Sequence, residues 1–442
     1  MRNIRRGAWL LVVLLAVTTV SVGQSSAAFF GMHVNNHRDF GFWPDVPFSS
    51  VRLHDSGVGW REIEVAPGKY DWSIFDKQLK RAKEHHVEAF YDFVRTPEFY
   101  TSHSQCAQDF RGGNCDADRC AKYGGKNQNG CFPPNDLNRD GSGGNDHFKN
   151  FVNAVVDHVA ALGTSQYAPI TVWEIWNEFD RETFWQGTDP QLLRMAKDVR
   201  AIVKARFPDA IVTTPNSTLP RILREYLQQP GAPEAADAIS LHSYVGQCDP
   251  EEALEKKFEN YDRLRNDFMK GKPLYITEGS WGKPENCSDP DAQAAFTARY
   301  LLLMMSGVGN HQGVDRLWWY GYDVPTGRLD DPDTGAIKPA GVAFREVYTW
   351  VTENQLVPRS CKHEGGSRWS CGVKKQDGSQ AMIVWDADPG RQCGGGNCVT
   401  SGFAAPGKFK RYRDLTGKKM AVQGQAPVGA KPIMLEEGRD AN

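Results

Sequence analysis

The chain has 442 residues, 40% of them hydrophobic, with 24% charged residues and a formal net charge of −2. That is long enough for one large barrel or α/β domain with a small appendage, and it excludes a small stapled module. Residues 356–442 hold 14 Lys/Arg against 8 Asp/Glu and the first six residues hold three Arg, so the stretch between carries about −11. A nucleic-acid partner is therefore not expected.

Residues 1–28 place Arg2, Arg5 and Arg6 ahead of an apolar run that ends in Ser26, Ala27 and Ala28. This is the layout of a secretory signal peptide and implies a secreted or periplasmic protein; contact with a membrane is expected only if the segment stays uncleaved. Ten cysteines, an even number in an exported chain, read as disulfides. Cys361 with Cys371 and Cys393 with Cys398 bracket short loops, and Cys248 is expected to pair with Cys287 because each follows one of two adjacent strands. Cys106, Cys115, Cys120 and Cys131 crowd one segment, and their pairing stays open.

Eight β-rich runs follow in chain order, at 29–34, 49–54, 87–93, 171–177, 210–216, 238–244, 273–278 and 316–322. Between them, stretches such as 75–86, 148–162, 191–207, 291–305 and 339–351 repeat apolar residues every three or four positions, as helices with one buried face do. Alternation of this kind predicts an α/β fold, a (β/α)8 TIM barrel over about 29–355. No glycine-rich dinucleotide fingerprint follows the first run, which disfavours an open doubly wound sheet. From 356 to 442, short β-rich runs between Gly, Pro and Asp turns predict a small antiparallel, sandwich-like β domain. A long interruption at about 97–147 separates the third run from its helix, and its four cysteines would strap it.

In a barrel the C-terminal ends of the strands open onto the active site. The fourth run, TVWEIWNE, ends on Asn177 and Glu178, and the seventh, PLYITE, ends on Glu278. Two carboxyls facing one cleft suit glycoside hydrolysis, where one protonates the leaving oxygen and the other attacks or stabilises the anomeric carbon. Other strand ends supply Arg52, His54, His242, Tyr244, Trp318 and Trp319, with His33 on the first run. Each has a plainer reading: Glu178 could cap a helix, Arg52 could form a structural ion pair, and one of Trp318 and Trp319 belongs to the core, since side chains alternate along a strand.

WEIWNE (173–178), FWQG (184–187), LHSY (241–244) and ITEGSWG (276–282) together resemble the clan A glycoside hydrolases, and most closely family 39. That family includes β-xylosidases, α-iduronidases and bacterial exopolysaccharide-cleaving endoglycosidases. The resemblance implies Glu178 as acid/base, Glu278 as nucleophile and Asn177 on the sugar 2-hydroxyl. Arg52 and Tyr244 would hold the nucleophile, while His242, Trp281 and one of Trp318 and Trp319 would line the site. Phe179 and Asp180 depart from the Pro and Asn that many members show after the acid/base. The activity expected is a retaining, endo-acting hydrolysis of a secreted or cell-envelope polysaccharide by a monomer that requires no cofactor. An exo-acting xylosidase or iduronidase type, and a non-catalytic carbohydrate-binding protein, are the alternatives. Finally, Asp136, Asn138 and Asp140 have the odd-position spacing of a calcium loop, but His147 stands where its twelfth-position Glu belongs. The plainer reading of the same stretch is a turn whose Asn145 or Asp146 caps the next helix.

Overall fold

A computed structural model describes residues 26–34, 42–101, 130–388 and 400–438. Eight strands form one sheet: β1 (Phe30–His33), β2 (Ser50–Leu53), β3 (Glu88–Phe93), β4 (Ile170–Ile175), β5 (Ile211–Val212), β6 (Ile239–Tyr244), β7 (Leu274–Ser280) and β8 (Arg316–Trp319). Their order is β5-β4-β3-β2-β1-β8-β7-β6, and every neighbouring pair is parallel. The two ends meet through bridges at Thr213–Ala238 and Ser217–Leu241, and Thr214 N donates to Ala238 O at 2.9 Å. The barrel closes there.

Strands β2 to β8 are each followed by a helix: α1 (Ser73–Glu84), α2 (Asp146–Leu162), α3 (Asp189–Arg206), α4 (Pro220–Leu227), α5 (Glu251–Asp267), α6 (Pro290–Ser306) and α7 (Pro339–Glu353). Local chemistry explains the clearest of them. On α2, Phe148, Phe151, Val152, Val155 and Val156 are buried at three- and four-residue spacing, so one face seals the sheet. Thr188 and Gln191 form a reciprocal capping box at the start of α3, and Asp289 accepts the amides of Asp291 and Ala292 at the start of α6. Helices α4 and α5 and a small hairpin at 64–70 were not singled out in the sequence.

The stretch singled out as a candidate calcium loop is a turn with hydrogen bonds of its own. Asp136 Oδ2 accepts the Asp146 and His147 amides at 2.5 and 3.1 Å, and Asp140 Oδ1 accepts from Ser142 N and Oγ at 2.9 and 2.6 Å. Asn138 Nδ2 donates to Ser142 Oγ at 3.0 Å. The carboxylates thus satisfy backbone donors, and the cap of α2 comes from Asp136 rather than from Asn145 or Asp146.

After α7 the chain builds an antiparallel sheet whose path runs through Asn354–Leu356, Arg368–Lys375, Gln380–Asp386, Ile433–Glu437, Phe409–Arg413 and Lys419–Ala421. Its first strand straddles the expected boundary at 355. Trp369, Ile383, Trp385 and Met434 share one apolar core with the barrel helices, and Trp385 Nε1 donates to Glu251 Oε1 on α5 at 2.8 Å.

Disulfides join Cys248 to Cys287 and Cys361 to Cys371. Cys131 is also disulfide-bonded. Cys393, Cys398, Cys106, Cys115 and Cys120, and the leader up to residue 25, lie outside the described residues. Among the described residues no helix is long and apolar enough to cross a membrane.

Candidate active site

Alternation along the strands fills the barrel in layers. Phe90, Val172, Ala238, Tyr275 and Trp318 pack as an apolar layer. A layer of charge accompanies it. Arg52 on β2, fully buried, donates from Nη1 to Glu278 Oε1 at 2.7 Å, from Nη2 to Asp92 Oδ2 at 3.0 Å and to Asn177 Oδ1 at 3.0 Å. Its Nε and Nη2 both donate to Glu174 Oε2, at 2.9 and 2.5 Å. One guanidinium therefore fixes groups from β3, β4 and β7.

At the mouth, Tyr244 donates its hydroxyl to Glu278 Oε2 at 2.6 Å. His242 Nδ1 lies 2.8 Å from Glu178 Oε1 and 3.3 Å from Glu278 Oε2. One oxygen of Glu178, one of Glu278 and a ring nitrogen of His242 all fall within 4.8 Å of one another. Two carboxylates and an imidazole could hold a divalent ion, but both oxygens of Glu278 already accept from Arg52 and Tyr244.

Glu178 reaches its place by a local break in the chain. Strand β4 ends at Ile175, two residues before the sequence reading placed its end, and Trp176 and Glu178 adopt left-handed φ values of 63° and 39°. Such a conformation is costly for a side-chain-bearing residue unless its surroundings hold it. Asn216, beyond β5, supplies the hold: its Oδ1 accepts the Glu178 amide at 2.6 Å and its Nδ2 donates to Trp176 O at 3.2 Å. The two departures after Glu178 brace the same turn. Asp180 accepts Thr218 N and Oγ1 at 2.9 and 2.5 Å, and Phe179 is buried against Tyr226.

The protonation environments differ. Burial pushes the Glu178 carboxyl up to about 7 against the pull of Arg181. Burial takes His242 down to about 3, opposed by Glu278 and reinforced by Arg52 and His54, so its ring is neutral. A neutral Nδ1 can accept the Glu178 proton. Burial also acts on His54, yet the Asp55 charge and the Asp92 hydrogen bond at 2.8 Å raise its pKa overall.

These groups border an open cleft of about 600 Å³, lined by His54, Asn177, Glu178, Tyr244 and Glu278, with Phe184, Lys283 and Tyr320 among the walls. His33 and His242 stand just behind: His33 Nε2 meets Thr277 O at 2.9 Å, and its ring is 4.9 Å from that of Tyr320. Three expected lining residues are elsewhere. Trp318 plugs the barrel interior and donates to Ser50 Oγ at 3.1 Å, while Trp319 points outward, donating to Gly327 O at 2.6 Å. Trp281, also fully buried, packs on Trp319. The aromatic wall from this end of β8 is Tyr320, two residues beyond Trp318 and therefore on the same side of the chain; that parity was available in the sequence. Asp92, Glu174 and Asn216 were missed as well, although each sits within or at the end of a run already read as a strand.

No protein-family model matches the chain, and no curated protein matches it. Solved structures do. A family 39 glycoside hydrolase from Bacteroides cellulosilyticus WH2 is similar at 18% identity and a TM-score of 0.63, over 93% of this chain and 81% of that one. A family 39 β-xylosidase from Caulobacter crescentus is similar at 14% identity and a TM-score of 0.58, over 94% and 97%. A family 30 endoxylanase from Clostridium papyrosolvens follows at 13% and 0.54, over 94% and 97%. The chain has the fold of family 39 and family 30 glycoside hydrolases. At these identities the likeness speaks for the fold, and the site must be argued from its own residues.

Proposed function

We propose that the protein is a retaining glycoside hydrolase that cuts a polysaccharide within the chain, with Glu178 as acid/base and Glu278 as nucleophile. The observation that carries this reading is the short approach of two carboxyls in unlike surroundings, with oxygens of both inside 4.8 Å. Carboxyls about 5–5.5 Å apart leave no room for a water on the far face of the sugar, whereas inverting pairs stand about 6.5–9.5 Å apart.

In the first step Glu278 attacks the anomeric carbon, the glycosidic C–O bond breaks, and Glu178 gives its proton to the departing oxygen. A glycosyl ester on Glu278 results. In the second step Glu178, now a carboxylate, takes a proton from water; the water oxygen bonds to the anomeric carbon and Glu278 leaves as it began. Arg52 and Tyr244 hold Glu278 as an acceptor-only carboxylate, and Asn177, fixed by Arg52, is placed for the 2-hydroxyl. The open shape of the cleft supports endo action, and Tyr320 and Phe184 offer ring faces to sugar C–H groups. The disulfides support an oxidising compartment outside the cytoplasm, where such a polysaccharide would be met.

A panel of exopolysaccharides and plant polysaccharides, scored by product size, tests the reading. A ladder of oligosaccharides is expected from at least one polymer, and none from the Glu278→Gln variant. Monosaccharide as the sole product would replace endo by exo action, and unchanged turnover by Glu278→Gln would remove the assignment.

A further inference from the structure

The mechanism leaves one buried acid unused. Glu174 lies on β4, fully buried, directly opposite Asp92 of β3 in the ladder. Like charges so placed repel. Arg52 must also serve Glu278, so a single guanidinium faces three carboxyls, all within 3.0 Å of it. Three buried anions against one cation is an imbalance that one shared proton halves.

Which acid carries that proton follows from the partners of each. Asp92 Oδ2 also meets the imidazole of His54 at 2.8 Å, and its other oxygen has no neighbour that could receive a proton. Glu278 has the Tyr244 hydroxyl and His242 besides Arg52. Among the described residues Glu174 has no second cation, and its Oε1 is hydrogen-bonded to the Ser240 hydroxyl, which lies 2.8 Å from Thr277 Oγ1. A proton on Oε1 can thus be donated to Ser240, and the Ser240 proton can pass the bond on to Thr277, the residue before Glu278.

We propose that Glu174 is a proton-bearing positioning residue beneath the site: as a neutral acid it grips the Nε–Nη2 edge of Arg52, aims Nη1 at Glu278 and leaves the guanidinium charge to Asp92 and Glu278. The role in positioning rests on Glu278 being the nucleophile; the protonation does not. Burial raises the Glu174 carboxyl above its ordinary range, against the attraction of Arg52 and with the repulsion of Asp92.

Infrared difference spectroscopy tests the protonation without any substrate. At pH 6 the native protein is expected to show a protonated-carboxyl stretch that Glu174→Gln lacks, and Ser240→Ala is expected to move that band to higher frequency, as loss of its acceptor requires. An unchanged spectrum in both variants, or in Ser240→Ala alone should Glu174→Gln not fold, overturns the proposal. The kinetic arm uses the best-cleaved dinitrophenyl glycoside, whose departure needs no acid. Glu174→Ala is expected to lose roughly 100-fold in kcat with little change in KM, and Glu174→Gln to recover to within about threefold at pH 6. Equal damage in the two variants would mean that an ionised Glu174 is needed and would overturn the neutral form. If the infrared result holds while Glu278→Gln stays active, the catalytic reading fails and the protonation stands.

Discussion

Glu178 stands three residues past the end of β4 and Glu278 two residues before the end of β7, yet their surroundings set them apart. Glu278 accepts from Arg52 and Tyr244, whereas Glu178 faces a neutral imidazole and the cleft. Since the Glu178 carboxyl titrates near 7, kcat/KM for an unactivated substrate is expected to fall about tenfold per pH unit above 7, as the general acid is lost. Glu178→Gln should abolish that limb and slow poor leaving groups far more than activated ones, which a leaving-group series measures. The same shift acts on stability. A carboxyl raised from its ordinary 4.5 to about 7 stabilises the fold below 4.5, and that contribution is lost as the pH rises through 7. The Tm of Glu178→Gln should therefore exceed that of the native protein at pH 8 and match it at pH 4; the opposite order would contradict a raised Glu178. Asn216→Ala removes the acceptor for the Glu178 amide and is expected to cost about 1–3 kcal/mol as well as activity, read by denaturant unfolding and kcat.

At the scale of elements, the barrel depends on close approach inside it. A Cβ on Gly31 of β1 would stand 2.3 Å from the Trp318 indole. Gly31→Ala must displace that plug, and a loss of about 1–3 kcal/mol or more is expected in urea unfolding, whereas a neutral effect would mean that the indole packs otherwise. All eight barrel strands were legible as runs rich in β-branched and aromatic residues, because both faces of a parallel barrel strand are buried. Strand ends were less so. β4 stops at Ile175 because Trp176 and Glu178 turn left-handed, and only the later contact with Asn216 holds that turn. Helix α5 was passed over because its exposed face is crowded with charge, from Glu252 to Asp267, which masks the buried Leu254, Phe258, Tyr261 and Leu264. Within the site, Arg52, Asn177, His242 and Tyr244 were found at strand ends. Trp318 and Trp319 were misplaced because aromatic character alone does not say which layer a ring fills; Tyr320 was missed, although its parity with Trp318 pointed to it. The Cys248–Cys287 bond across the two rim loops was also legible, and replacing both cysteines by Ala is expected to cost about 2–4 kcal/mol.

For the whole molecule, the antiparallel sheet is part of one hydrophobic core with α6 and α7, so the charge of residues 356–442 says little about a separate binding role. Trp385 meets Glu251, Lys431 meets Asp291 at 2.5 Å, and Arg413 meets Glu346 across the junction. A single cooperative unfolding transition is expected from this shared core. The central claim, a covalent double displacement at Glu178 and Glu278, is tested most directly by proton NMR of the anomeric configuration of the first-formed reducing end. The arrangement predicts the configuration of the bond that was cut; the opposite anomer, formed by direct attack of water, would contradict it.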